Sequence, residues 1–234
     1  MSKLDTNERI KTYVEGLDEC LQGGIPSNSI VLLAGSPGTM KSSLGFYILY
    51  HNALENGKKG VYISLEERRE SLIKNMQGLG MDWDKVSKRL SILDLGLIRS
   101  RMTELDKSAW MEVFKMYVKN LRKNLENDFL VIDSLPVMET MADFKEPRKE
   151  LFQFFDWLRN LDVTTFLIHE LPINEIKFTD AGEGFLSDGI FHLELRREGN
   201  NVNLFLSALK LRKTDHPRDY FPLIYDGAFE IVKG

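Results

Sequence analysis

The segment 35–42, with the sequence GSPGTMKS, has the clearest capacity for chemistry in this chain. It directly follows the apolar run 30–34, and its spacing fits G-x-x-x-x-G-K-[ST], a loop that joins a strand to a helix and binds phosphate. Met40 stands where the second glycine of the pattern is expected. A lysine, a hydroxyl group and backbone N–H groups at a helix N-terminus are what a magnesium-bound nucleotide triphosphate requires. The segment therefore predicts a nucleotide site.

The residues of this loop have separate expected roles. Lys41 is expected to reach the β and γ phosphates and the Ser42 hydroxyl to ligate Mg²⁺, while the backbone from 38 to 43 wraps the phosphates. The predicted nucleotide-binding residues are Gly35, Ser36, Pro37, Gly38, Thr39, Met40, Lys41, Ser42 and Ser43. The alternative interpretation is a glycine-containing turn that only begins a helix.

The effect of Met40 on the loop depends on its backbone conformation. If the backbone at this position has a positive φ, methionine costs about 1–2 kcal/mol relative to glycine. Its side chain must also point away from the phosphates. We therefore expect nucleotide binding to persist while turnover is slower than in a loop with glycine at this position.

Two further apolar runs end in carboxylates that complete such a site. The run 129–132 is followed by Asp133, which is expected to hold Mg²⁺ through a water molecule, although an aspartate there can also simply cap the next element. The run 61–65 is followed by Glu66 and Glu67, and a carboxylate at the carboxyl edge of a strand can orient and deprotonate an attacking water. Glu66 is the first candidate for this base. The alternative puts both glutamates in the acidic first turn of the following helix.

The composition sets the broad class of protein. A chain of 234 residues is expected to form one domain over 1–234. Its 31 basic and 35 acidic side chains give a net charge of −4, which offers no general attraction for nucleic acid or an anionic membrane. Cys20 is the only cysteine, so neither an internal disulfide nor a cysteine metal cluster is expected, and a reducing cytoplasm fits. No apolar stretch approaches the length of a bilayer span, so no membrane insertion is expected.

Apolar runs alternate with helical patterns along most of the chain. Strands are predicted at 30–34, 60–65, 90–95, 129–132 and 164–168, and helices at 41–55, 69–79, 107–126 and 147–161. This alternation predicts an α/β fold with a mostly parallel central sheet and flanking helices. The runs 190–195 and 202–211 flank a polar turn at 197–201 and predict a C-terminal antiparallel hairpin, with a further short run at 229–232.

Several segments carry a resemblance that runs the length of the chain. They are GLDE at 16–19, GGIP at 23–26, SLEE at 64–67, LGMDWD at 79–84, LSILD at 90–94, VIDSL at 131–135, FLSDGI at 185–190 and LKLRKTDH at 209–216. In the same order, these segments resemble those of the KaiC-like branch of the RecA superfamily. The resemblance covers one KaiC domain, whereas the clock protein of that family has two in tandem, so a clock role does not follow.

The resemblance implies a RecA-like P-loop fold and an ATPase that assembles as a ring, commonly a hexamer, with ATP between neighbouring subunits. Lys41 and Ser42 match the phosphate-loop lysine and the metal-binding hydroxyl. Asp133 matches the second metal-site residue, and Glu66 with Glu67 match the paired catalytic glutamates.

The resemblance also implies residues that act across the subunit interface. Lys210 and Arg212 match cations that reach the γ phosphate of the adjacent subunit, where they would stabilise charge on the transferring phosphoryl group. Lys213 replaces a glycine that is usual in this segment. The alternative is that these are ordinary solvated charges on an edge strand. His169, at the end of a predicted strand, stands where related ATPases place a group that senses the γ phosphate, although such a histidine is more often structural.

These features favour a cytoplasmic, magnesium-dependent, slow ATPase that acts as a homo-oligomeric regulatory ring on an unidentified protein partner. Two alternatives remain open. One is a weakly or non-hydrolysing nucleotide-dependent binding module of the recombinase-paralogue or archaellum-motor type, and the other is a DNA repair accessory. The segment 171–188 contains one basic residue, Lys177, among several acidic ones, which disfavours binding of nucleic acid.

Overall fold

The computed structural model describes residues 8–95, 107–172 and 182–233. The strands within these ranges are β1 (Arg9–Ile10), β2 (Ile25–Pro26), β3 (Ile30–Gly35), β4 (Gly60–Ser64), β5 (Leu90–Asp94), β6 (Phe129–Asp133), β7 (Thr164–Glu170), β8 (Gly189–Glu198), β9 (Asn201–Leu211), β10 (Phe221–Tyr225) and β11 (Phe229–Ile231). The helices are α1 (Leu17–Cys20), α2 (Lys41–Glu55), α3 (Arg69–Gly78), α4 (Trp83–Val86), α5 (Lys107–Leu125), α6 (Leu135–Ala142), α7 (Pro147–Arg159) and α8 (Glu183–Leu186). None of these helices is both long enough and apolar enough to span a bilayer.

A large mixed sheet organises the described residues. Its strand order is β11-β10-β9-β8-β3-β7-β6-β4-β5, and the six strands from β8 to β5 run parallel to one another. The remaining strands β9, β10 and β11 continue the sheet antiparallel. Strands β1 and β2 form a separate two-stranded sheet. The prediction of an α/β fold with a mostly parallel sheet and a C-terminal antiparallel extension is confirmed.

Strand β3 explains why the sheet is covered by helices on both faces. All six of its residues are buried, and because side chains alternate between the two faces of a strand, they enter two separate hydrophobic clusters. Val31 and Leu33 pack in the cluster that contains the apolar side chains of α2, such as Leu44. Ile30 and Leu32 pack in the cluster formed with α5 and α7.

The predicted elements agree closely with the observed ones where the sequence pattern is long. Helix α2 has the predicted bounds, and β3, β6 and β7 each extend one or two residues beyond the predicted run. The hairpin turn is tighter than predicted, because β8 continues to residue 198 and β9 begins at residue 201. The prediction misses the strands β1, β2 and β10 and the helices α1, α4, α6 and α8. All of these except α6 have five residues or fewer, and so short a segment shows no clear periodicity.

The parallel strands bring the candidate segments to one edge of the sheet. Strands β3, β7, β6 and β4 are consecutive neighbours, so their carboxyl ends meet at the same edge. The register pairs Gly35 with Glu170 and Ser64 with Asp133. The segments that follow these strands therefore lie side by side, although they are far apart in the sequence.

Candidate functional site

The phosphate loop begins at a glycine that no other residue can replace without a clash. A Cβ atom added to Gly35 would lie 2.3 Å from the carbonyl oxygen of Leu193 on β8 and 2.9 Å from Oγ1 of Thr39. Gly38 has a φ of 83°, a conformation that glycine adopts without strain. These two glycines let the chain turn sharply between β3 and α2.

Lys41, the first residue of α2, points into this loop. It is 8% exposed, and its Nζ donates to the carbonyl oxygen of Ser36 at 2.7 Å and lies 3.4 Å from Oγ1 of Thr39. Burial lowers the pKa of Lys41, while the negative charges of Glu170 and Asp133 raise it. The Thr39 hydroxyl donates to the same carbonyl at 2.8 Å, so the loop holds the ammonium group at its centre.

Met40 has the positive φ that makes a non-glycine residue costly. Its φ is 61° and its ψ is 24°, and its carbonyl oxygen accepts the N–H of Leu44 at 2.8 Å, so it is the N-cap of α2. The partly buried methionine side chain packs against the hydrophobic cluster beneath α2. The left-handed backbone therefore costs about 1–2 kcal/mol relative to glycine, and packing of the side chain offsets part of that cost.

Asp133 ends β6 next to the start of α2. Its Oδ2 accepts a hydrogen bond of 2.5 Å from the hydroxyl of Tyr62, a fully buried side chain on the neighbouring strand β4. Burial raises the pKa of Asp133, whereas hydrogen bonds from Tyr62 and Ser42 and the charge of Lys41 lower it. The structure thus brings Lys41, Ser42 and Asp133 together.

Tyr62 was missed by reasoning from the sequence, because it looks like one more apolar residue of a buried strand. Complete burial raises the pKa of Tyr62, and the negative charge and the hydrogen bond of Asp133 raise it further. The hydroxyl therefore stays protonated and fixes one oxygen of the carboxylate. A tyrosine in an otherwise aliphatic run was the only signal in the sequence.

Glu66 and Glu67 lie in the bend between β4 and α3. Helix α3 begins at residue 69, so the alternative that put both glutamates in its first turn is wrong. Glu66 is exposed. The half-buried Glu67 accepts hydrogen bonds through Oε1 from Ser71 at 2.6 Å and Asn75 at 2.5 Å, and its charge raises the pKa of Asp133. Glu67 is therefore anchored to α3 and within electrostatic reach of the candidate metal site.

Lys210 and Arg212 lie at the end of β9, where they bind the short helix α8 and the residues after it. The Lys210 ammonium donates to the carbonyl oxygens of Gly184, Phe185 and Ser187 at 2.9, 3.2 and 2.6 Å. Burial lowers the pKa of Lys210, as does the charge of Arg212. Strand β9 lies between β8 and β10, so it is not the edge strand of the alternative interpretation. Arg212 and Lys213 follow the strand and are exposed, as that interpretation expects of solvated charges.

Arg212 is half exposed and makes two contacts of its own. Its guanidinium donates to Oδ1 of Asp188 at 3.0 Å and to the Phe185 carbonyl at 3.2 Å. Lys213, which stands in place of a usual glycine, has a φ of 61°, the same value as Met40. Both departures from the glycine pattern therefore fall at left-handed positions.

A second buried polar group lies beside the loop. His169 on β7 is 2% exposed, and its Nε2 lies 3.5 Å from Oε1 of Glu183 on α8, which has 0% exposure. Burial lowers the pKa of His169, as does the charge of Lys41, while Glu183 raises it. On α6, burial and the charge of Glu183 raise the pKa of Glu139 to about 7. No pattern in the sequence had pointed to Glu139 or Glu183 as site residues.

The residues present fit a nucleotide triphosphate with Mg²⁺. The glycines leave room for phosphate at the N-terminus of α2, and a lysine, a hydroxyl and a carboxylate supply the charge and the oxygen ligands that magnesium prefers. Within the described ranges, no group of three or more His, Cys, Asp or Glu side chains could hold a metal by itself. Magnesium bound by one or two protein oxygens together with phosphate needs no such group. The expectation against nucleic acid rests on the segment 171–188, and residues 173–181 of that segment, including Lys177, lie outside the described residues.

Comparison with known proteins agrees with this geometry. The family model described as "ATPase: KaiC" matches residues 10–233. A UPF0273 protein of Saccharolobus solfataricus is 30% identical over 227 residues, which cover 91% of this chain and 80% of the relative. The circadian clock oscillator protein KaiC of Picosynechococcus is 28% identical over 92% of this chain and 42% of its own length.

A solved structure has the same fold. The crystal structure of a KaiC-like protein from Pyrococcus horikoshii superposes with a TM-score of 0.83 at 27% sequence identity, covering 97% of this chain and 99% of that one. The family match, the fold and the loop that carries Lys41 agree. The chain therefore belongs to the KaiC family of ATPases.

Proposed function

We propose that this protein is a magnesium-dependent ATPase that hydrolyses ATP slowly as a homo-oligomeric ring, a hexamer by family resemblance, in the cytoplasm. The observation that carries the proposal is the convergence of Lys41, Ser42 and Asp133 at the carboxyl edge of β3 and β6. In this assignment Lys41 binds the β and γ phosphates, while Ser42 and Asp133 hold Mg²⁺. Bound Mg²⁺ would neutralise charge on the phosphates.

Glu66 and Glu67 are proposed to have different roles in activating the attacking water. Glu66 is exposed at the end of β4, where its carboxylate can accept a proton from a water molecule. Glu67 is held by Ser71 and Asn75, which fixes the bend that carries Glu66. This arrangement supports Glu66 as the base and Glu67 as its partner.

Lys210 and Arg212 are proposed to act on the nucleotide of the neighbouring subunit. Their contacts with α8 hold both cations on one side of the subunit, and Arg212 is half exposed there. A cation that enters the neighbouring site stabilises the charge of the transferring phosphoryl group. Hydrolysis would then depend on assembly, and the nucleotide state could regulate a protein partner.

Phosphate release and nucleotide binding, measured separately, test this proposal. In the Glu66→Gln, Glu67→Gln double variant, Mg²⁺-dependent phosphate release should fall at least about 100-fold, the scale expected for loss of a general base, while binding of a fluorescent ATP analogue persists. The Glu70→Gln variant is a matched control, because Glu70 is an exposed glutamate in the first turn of α3 and should hydrolyse normally. Unchanged release in the double variant would rule out the assigned base.

A second candidate is a nucleotide-dependent binding module that hydrolyses little ATP. The specific observation in its favour is the left-handed methionine at position 40, which stiffens the loop at the point where glycine is usual. The Met40→Gly variant separates the two candidates. Faster turnover favours an ATPase restrained by Met40, whereas turnover that stays near zero with intact nucleotide binding favours the binding module.

A further inference from the structure

The buried pair of His169 and Glu183 has no part in the function proposed above. Glu183 is the first residue of α8, and its carboxylate is fully shielded from solvent 3.5 Å from the imidazole. Glutamate is almost never fully buried unless it is paired, because a buried charge loses its hydration. The contact therefore fixes the start of α8 against the end of β7.

The imidazole end of this pair lies within electrostatic reach of the phosphate loop. His169 pairs in register with Ala34 on β3, one residue before the loop begins, and the charge of Lys41 lowers the pKa of His169. Phosphate bound at Lys41 would offset that positive charge and favour the protonated imidazole. A protonated His169 attracts Glu183 more strongly, so a filled site tightens the contact.

The other end of α8 holds the cations proposed to act on the neighbouring subunit. Carbonyl oxygens of residues 184, 185 and 187 accept all three bonds from Lys210, and the carbonyl of residue 185 also accepts one from Arg212. Arg159 donates to the carbonyl of residue 186. These acceptors lie within four residues of Glu183, so a shift of Glu183 moves them together.

We propose that α8 is a link between two nucleotide sites, in which Glu183, held by His169, positions Lys210 and Arg212 according to whether the same subunit has bound nucleotide triphosphate. Glu183 and His169 are positioning residues in this scheme, since they act through the two cations. The inference rests on the proposed function, because it requires those cations to serve the adjacent subunit. Its consequence is cooperative hydrolysis around the ring.

Mixed assemblies test the link. Acceptor subunits carry Arg212→Ala, so they retain the catalytic glutamates but offer no arginine to a neighbour. Donor subunits carry Glu66→Gln and Glu67→Gln, so they offer Arg212 but do not hydrolyse ATP. Phosphate release should recover at mixed interfaces. When Glu183→Gln is added to the donor, kcat at those interfaces should fall about tenfold, within the usual range of coupling between sites, with KM unchanged.

Two further donors complete the design. Glu139→Gln removes a different buried carboxyl group near Glu183, and because the pKa of Glu139 is about 7, the neutral amide is a mild replacement that should leave activation unchanged. His169→Asn removes the other half of the pair and should lower activation as Glu183→Gln does. It also keeps the test available if Glu183→Gln fails to fold. Binding of the fluorescent ATP analogue to each donor verifies that its own site is intact.

The outcomes are distinguishable. If the unmodified donor does not activate the acceptor, the proposed action across the interface fails, and the link fails with it. If the unmodified donor activates but the Glu183→Gln and His169→Asn donors activate equally well, the proposed function survives and the link is overturned. Equal loss with Glu139→Gln also overturns the link, because the effect would then belong to any buried carboxyl group in this region.

Discussion

Replacing Met40 by alanine and by glycine separates backbone strain from side-chain packing in the phosphate loop. Both variants remove the thioether from its contact with the cluster beneath α2, so that loss is common to the two. At a φ of 61°, alanine retains a cost of about 1–2 kcal/mol that glycine does not have. Glycine loses roughly 0.4–1 kcal/mol through the greater freedom of the unfolded chain. The Met40→Gly variant should therefore be about 1 kcal/mol more stable than Met40→Ala.

Urea unfolding measures this difference directly from the midpoint and slope of each transition. In thermal unfolding, about 1 kcal/mol corresponds to roughly 2–4 °C for a chain of this size. Lys88 provides the control pair, because it is exposed and is not among the residues with positive φ. At Lys88 the order should reverse, with the glycine variant the less stable one.

The rate of ATP turnover in the Met40→Gly variant tests the same argument in a functional assay. Without the methionine, the amides of the loop can adjust to the phosphates, so Met40→Gly should release phosphate faster than the natural chain. If Met40→Ala is as stable as Met40→Gly, the loop is not strained at this position and the physical argument for slow turnover is refuted.

Three further predictions concern groups around the site. Gly35→Ala should lower stability by about 1–3 kcal/mol through a backbone clash, whereas Gly78→Ala, where an added Cβ meets nothing within 4 Å, should be neutral or stabilising in thermal unfolding. Tyr62→Phe removes the hydrogen bond to Asp133 and should cost about 1.5–3 kcal/mol at neutral pH; an unchanged unfolding midpoint would mean that the bond is not formed. Burial raises the pKa of Glu139 from its ordinary value of 4.5 to about 7 in the folded protein, so its contribution to stability is fully present below about pH 4.5 and is lost as the pH rises through about 7. Glu139→Gln should therefore gain much more stability relative to the natural chain at pH 8 than at pH 5, and an equal difference at both pH values would contradict the assigned protonation.

The phosphate loop and the strands around it could be predicted from the sequence, because their signals are local. The spacing of Gly35, Lys41 and Ser42, directly after the apolar run 30–34, specifies a strand, a turn and the start of a helix, and α2 begins at the predicted residue. The apolar runs that precede Asp133 and Glu66 are continuous, as is typical of strands that are buried on both faces. Each run shows this by itself, without reference to the rest of the chain. The methionine at position 40 was also visible as a departure from the glycine pattern. Its cost could be stated only for the case that φ is positive, and the structure supplied that angle.

The tertiary structure decided which distant groups meet. The hydroxyl of Tyr62 and the carboxylate of Asp133 are 71 positions apart, and the hydrogen bond between them follows from the pairing of β4 with β6. The position of Lys210 at α8 follows from the pairing of β8 with β9, which no short pattern encodes. The periodicity of apolar residues indicates which side chains of one segment are buried, whereas the order of the strands depends on the packing of the whole sheet. The sequence thus determined the parts of the site, and the order of the strands determined their geometry.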